Sequence, residues 1–78
     1  MALFVEITQA RLLPNLIAGL QRSGCRVEPV GSTSCTVIPP PVADLDEARL
    51  ELAFFLRAWQ LQYPGVGARI YYEYELAS

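Results

Sequence analysis

The stretch Cys25-Arg26-Val27-Glu28-Pro29-Val30-Gly31-Ser32-Thr33-Ser34-Cys35-Thr36-Val37-Ile38 decides the fold, because it sets two short strands between two helical segments. Cys25 to Val30 reads as a strand, and Pro29 marks it as an edge because proline has no N–H for a ladder. Gly31-Ser32-Thr33 supplies turn chemistry. Ser34 to Ile38 is rich enough in β-branched residues to form the returning antiparallel strand. Pro39-Pro40-Pro41 ends it and reads as a stiff connector to the next element.

Upstream of the hairpin, apolar positions Leu12, Leu13, Leu16, Ile17 and Leu20 recur with helical spacing. Pro14 suits only the first turn, so the spacing predicts a helix starting near Leu13 and stopped by Ser23-Gly24. Before it, Leu3, Val5 and Ile7 alternate with Phe4, Glu6 and Thr8, the period of a strand. Downstream, Leu45, Ala48, Leu52, Phe55, Leu56, Trp59 and Tyr63 form an apolar stripe on a second helix, from about Asp44 to Tyr63. Asp44 or Asp46 is placed to cap it, and Asp46 and Glu47 suit the positive end of its dipole. Pro64-Gly65 closes the helix. In the last strand Ile70, Tyr72, Tyr74 and Leu76 alternate with Arg69, Tyr71, Glu73 and Glu75.

The order β-α-β-β-α-β, with short connections and right-handed crossovers, predicts an α+β ferredoxin-like sandwich. Four antiparallel strands form one sheet, with strands one and three central and both helices on one face. The opposite face should then display Phe4, Glu6, Thr8, Ser34, Thr36, Ile38, Arg69, Tyr71, Glu73 and Glu75. That mixture is too apolar for an indifferent surface and too charged for a core, which points to a subunit contact.

Residues 1–78 make one domain, whose core is thin at this length. With 53% hydrophobic and 18% charged residues, little polar surface is left to cover a monomer, so self-association as a dimer is expected. The net charge is −2 and the six basic residues, all arginine, are scattered, which argues against nucleic-acid binding. The N-terminus lacks the pattern of a signal peptide. The longest aliphatic and aromatic run, Leu52 to Leu56, is too short to span a bilayer, so a cytoplasmic protein without membrane contact is expected. Cys25 and Cys35 then read as reduced, semi-buried thiols, although a pair between neighbouring strands stays open.

The chain contains no histidine, which removes the commonest general base and metal ligand, and no lysine for Schiff-base chemistry. The two cysteines do not form Cys-x-x-Cys, and Gly65-Val66-Gly67 is a turn rather than a phosphate loop. Carboxylates remain as possible catalysts. Asp44, Asp46 and Glu47 are accounted for by helix capping, and Glu73 and Glu75 by a solvated strand face. The third strand has neither the aromatic nor the basic residue with which RNA-recognition motifs stack bases. No catalytic residue, cofactor or metal is expected.

The segment Leu13-Pro14-Asn15-Leu16-Ile17-Ala18-Gly19-Leu20-Gln21-Arg22-Ser23-Gly24-Cys25-Arg26-Val27 resembles the first helix of ACT-type regulatory domains. The resemblance implies a self-associating ferredoxin-like module that binds a small polar effector near the first strand–helix turn. By position, Gln9, Arg11 and Asn15 would contact it. Two expectations follow. One is a non-enzymatic, ACT-like regulatory module. The other is a protein-interaction module that docks a partner through an edge strand or the open sheet face, using Phe4, Ile38, Tyr71, Arg69 and Glu73.

Overall fold

A computed structural model of the chain describes residues 2–38 and 44–72. Strand β1 (Leu3–Ile7) leads through a single 3-10 turn (Ala10–Leu12) into helix α1 (Leu13–Arg22). Strands β2 (Arg26–Pro29) and β3 (Ser34–Ile38) form the hairpin, followed by helix α2 (Leu45–Gln62) and strand β4 (Ala68–Tyr72). The sheet order is β2-β3-β1-β4, antiparallel throughout, with β1 and β3 central. The architecture is the α+β ferredoxin-like sandwich that the alternation predicts.

Local chemistry fixes the ends of α1. Pro14 sits in its first turn, where a missing N–H costs nothing. At the other end Gly24 takes φ +94°, the Gly24 N–H bonds to the Gln21 carbonyl, and the Cys25 N–H reaches back to the Leu20 carbonyl. These two bonds satisfy carbonyls the helix would otherwise leave open, and they turn the chain directly into β2. The second strand is shorter than its sequence suggests, since Cys25 is spent on this cap.

Along β1, Leu3, Val5 and Ile7 are buried while Phe4 is half-covered and Glu6 exposed. Leu13, Leu16 and Leu20 of α1 pack on that inner face beside Val27, Cys35 and Val37. From α2, Ala48, Leu52, Leu56 and Trp59 complete the core. Trp59 and Tyr63 rings lie 5.1 Å apart at the end of this stripe. Two bonds clamp the exit of β1 to the start of β4: the Thr8 N–H donates to the Gly67 carbonyl (3.0 Å), and the Gly67 N–H donates to Thr8 Oγ1 (2.9 Å).

Two local expectations are corrected. Asp44 occupies the N-cap position of α2, yet its carboxylate caps no N–H. Asp46 instead accepts a 2.8 Å hydrogen bond from the Tyr72 hydroxyl, tying the start of α2 to β4. The Arg49 guanidinium lies 5.2 Å from the centre of the same Tyr72 ring, a cation–π contact. Ser34, whose parity puts it on the open face, is only 9% exposed, and Gly31 lies close against its hydroxyl. Its carbonyl accepts the N–H groups of Val30 and Gly31.

Candidate functional site

Of the residues expected to meet an effector, Gln9 and Arg11 pair with each other and Asn15 pairs with Trp59. Arg11 Nε donates to Gln9 Oε1 at 3.1 Å, so these two side chains engage each other at the surface. Asn15 Oδ1 accepts the indole N–H of Trp59 at 2.9 Å, across 44 positions of sequence. The indole nitrogen can only donate, so the amide must present its oxygen to it. That leaves the two N–H donors of Asn15 uncommitted.

The residues expected at a sheet-face contact share that face. Strand register places Thr36 and Tyr71 on either side of Phe4, and Ser34 and Arg69 on either side of Glu6. Arg26 pairs with Ile38 at the far end. Phe4 and Tyr71 cover each other, with ring centroids 6.4 Å apart, and both are half-buried. Arg69 has its pKa raised, first by a hydrogen bond with Tyr71 and further by the charge of Glu6. Ile38 is 36% exposed. Glu73 and Glu75 lie outside the described residues.

A more exposed apolar surface lies on the other layer, where sequence reasoning did not look. Leu50, Phe54 and Leu61 on α2 are 58%, 66% and 78% exposed. With 3.6 residues per turn, these three fall within an arc of about 40° on the side opposite the buried stripe. The exposed charges Glu47 and Arg57 lie in line with them. Positions 47, 50, 54, 57 and 61 step by three and four alternately, the spacing of a helix–helix seam. The helix therefore has two apolar faces, one used by the core and one turned to solvent.

Between α1 and α2 runs a groove of about 350 Å³, lined by Asn15, Gly19, Arg22, Ser23, Phe55, Ala58, Trp59, Gln62 and Tyr63. Gly19 lets the Phe55 ring lie close against α1 at this groove, since a Cβ there would stand 3.0 Å from the ring. A second hollow, about 440 Å³, sits by the start of β4 and the end of α2. Two of its polar groups are already engaged: Gln60 Nε2 donates to the Val66 carbonyl, and Thr8 Oγ1 accepts the Gly67 N–H. Gln9 and Arg11 line neither hollow; Asn15 lines the first.

Cys25 and Cys35 are both free thiols. Burial pushes Cys35 up to about 11, and Cys25 is raised by burial and by the nearby charge of Glu51. Thiols that hold their protons this firmly are poor nucleophiles. Among the described residues, no group of three or more Cys, Asp or Glu side chains is placed to hold a metal ion, and no helix is long and apolar enough to cross a membrane. No protein-family model, curated protein or solved structure matches this chain significantly.

Proposed function

We propose that this chain is a non-enzymatic module whose function is carried by self-association, through antiparallel pairing of α2 with the α2 of a second copy. The observation that supports it is the outward seam of Leu50, Phe54 and Leu61, each more than half exposed. Exposed apolar side chains standing singly need no explanation, but three aligned on one helix in a domain this small favour burial against a partner.

Charge order along the seam argues for a second copy and for its direction. Glu47 stands at the N-terminal end and Arg57 beyond Phe54. A parallel pair would set Glu47 against Glu47 and Arg57 against Arg57. An antiparallel pair sets Glu47 of one copy against Arg57 of the other. The same two-fold axis, at the level of position 52, sets Leu50 of one copy against Phe54 of the other. One symmetry operation therefore serves both the apolar and the charged contacts, as an isologous interface requires. Leu61 extends the seam toward the partner's N-cap. Self-association is also what the ACT-like resemblance of the α1 segment implies.

The open sheet face is the weaker surface for this role, because Phe4 and Tyr71 already cover each other and Ile38 is only 36% exposed. Sedimentation velocity over a concentration series tests the reading. The native chain is expected to dimerise. Phe54→Glu should yield a monomer, since pairing would bury an uncompensated charge. Arg57→Glu should weaken the dimer, and Glu47→Arg combined with Arg57→Glu should restore it. A native chain that stays monomeric at every concentration overturns the proposal. Dissociation by Tyr71→Glu with Phe54→Glu silent would move the interface to the sheet face.

A further inference from the structure

We infer that the groove between α1 and α2 is a binding site for a small aromatic carboxylate. Its walls divide by chemistry. Phe55 and Tyr63, both half-buried, supply flat apolar surface beside the nearly buried Trp59, and Gly19 lets the Phe55 ring lie close against α1. Arg22 is the single ionised group among its lining residues, and no acidic side chain lines it. A guanidinium is always charged and presents N–H donors in a planar fork that matches a carboxylate.

The hydrogen bond between Trp59 and Asn15 sharpens the selection. With Asn15 Oδ1 already accepting the indole N–H, the polar groups the Asn15 amide has wholly uncommitted are its two N–H donors. Arg22 can only donate. The Arg22 guanidinium and the Asn15 N–H donors thus call for an acceptor-rich, negatively charged group, and the rings beside them call for a flat apolar one. A volume of about 350 Å³ accommodates one or two fused rings with a carboxylate, at the small end of ligand pockets. Leu50, Phe54 and Leu61 of the outward seam are not among the residues that line this groove.

Trp59 is the only tryptophan in the chain and lines this groove, so its fluorescence is a probe of what enters it. Phenylacetate and 3-phenylpropionate, titrated into the full chain, should change that fluorescence saturably. Phenylacetamide and acetate, which lack the charge and the ring respectively, should not. Arg22→Gln should weaken the response at least tenfold, and Arg22→Lys should recover part of it, while far-UV circular dichroism and the sedimentation profile stay as in the native chain. A flat titration with both carboxylates overturns the inference. So does a response that Arg22→Gln leaves unchanged, or one that phenylacetamide reproduces. Because the sedimentation assay is read separately, failure here leaves the pairing of α2 standing or falling on its own test.

Discussion

Asn15 sits in the first turn of α1 and its side chain serves Trp59, so replacing it should act on stability in a way that depends on Trp59. Two effects oppose each other in Asn15→Ala. The helix gains about 0.5 kcal/mol, because alanine is the better helix former. The indole N–H loses its acceptor, and a hydrogen bond of this kind is worth about 0.5–1.5 kcal/mol net, rising toward 3 kcal/mol if the donor is left dry. Trp59 is only 6% exposed, which favours the upper part of that range. The expected net cost of Asn15→Ala is therefore about 1 kcal/mol.

In a Trp59→Phe background the donor is already gone. The same Asn15→Ala change should then be neutral or stabilising by about 0.5 kcal/mol, because only the propensity term survives. The coupling between the two sites, about 1–2 kcal/mol, isolates the bond from everything else either substitution does. Urea unfolding followed by far-UV circular dichroism measures all four proteins without relying on the tryptophan. At a slope near 1 kcal/mol/M for a domain this small, 1 kcal/mol moves the midpoint by about 1 M. If Asn15→Ala has the same effect with Trp59 and with Phe at position 59, the bond contributes nothing and the claim that Asn15 is fixed by Trp59 fails.

Two other perturbations bear on single features. Gly24→Ala should lower stability by about 1 kcal/mol, and the thermal midpoint by roughly 4–8 °C, although no atom stands within 4 Å of the added Cβ. The cost comes from φ +94° alone, so a variant as stable as the native chain would refute the cap geometry. Raising the pH from about 9 to 11 should destabilise the domain through Cys35. Its thiol ionises near 9.0 when unfolded and near 11 when folded, so below 9 both states keep the proton and above 9 the unfolded state is increasingly favoured. The loss approaches about 2–3 kcal/mol by pH 11. A urea midpoint that falls as steeply in Cys35→Ala would assign the loss to other groups.

The sheet and α1 were legible in the sequence because each has a single periodicity with punctuation at its ends. Leu3, Val5 and Ile7 face one layer only, and Leu13, Leu16 and Leu20 form one stripe between Pro14 and Gly24. Capping of α2 was not legible: Asp44 has the right residue type and position, but its carboxylate makes no capping bond. Nor could any local pattern reveal that Asn15 and Trp59 meet, since their contact depends on how two helices settle on the sheet. Strand parity correctly placed Phe4, Ile38, Arg69 and Tyr71 on one face. It could not register that two aromatic rings would cover each other there.

The seam on α2 was missed for a physical reason. An amphipathic helix is recognised by the contrast between its faces, and α2 has little contrast, because Leu50, Phe54 and Leu61 lie opposite Leu52, Leu56 and Trp59. Once the inner stripe is assigned to the core, the remaining apolar residues pass for scatter. The signal was nonetheless present in the alternating steps of three and four from Glu47 to Leu61. A helix that served only as a lid on this sheet would carry polar residues at 50, 54 and 61 at no cost to the core. That it carries large apolar ones, with Glu47 and Arg57 flanking Leu50 and Phe54 in an order that an antiparallel copy would complement, favours a second requirement on the outward face. Under the proposed pairing that requirement is a second copy, which is why the pairing of α2, rather than any pocket, is the first property to measure.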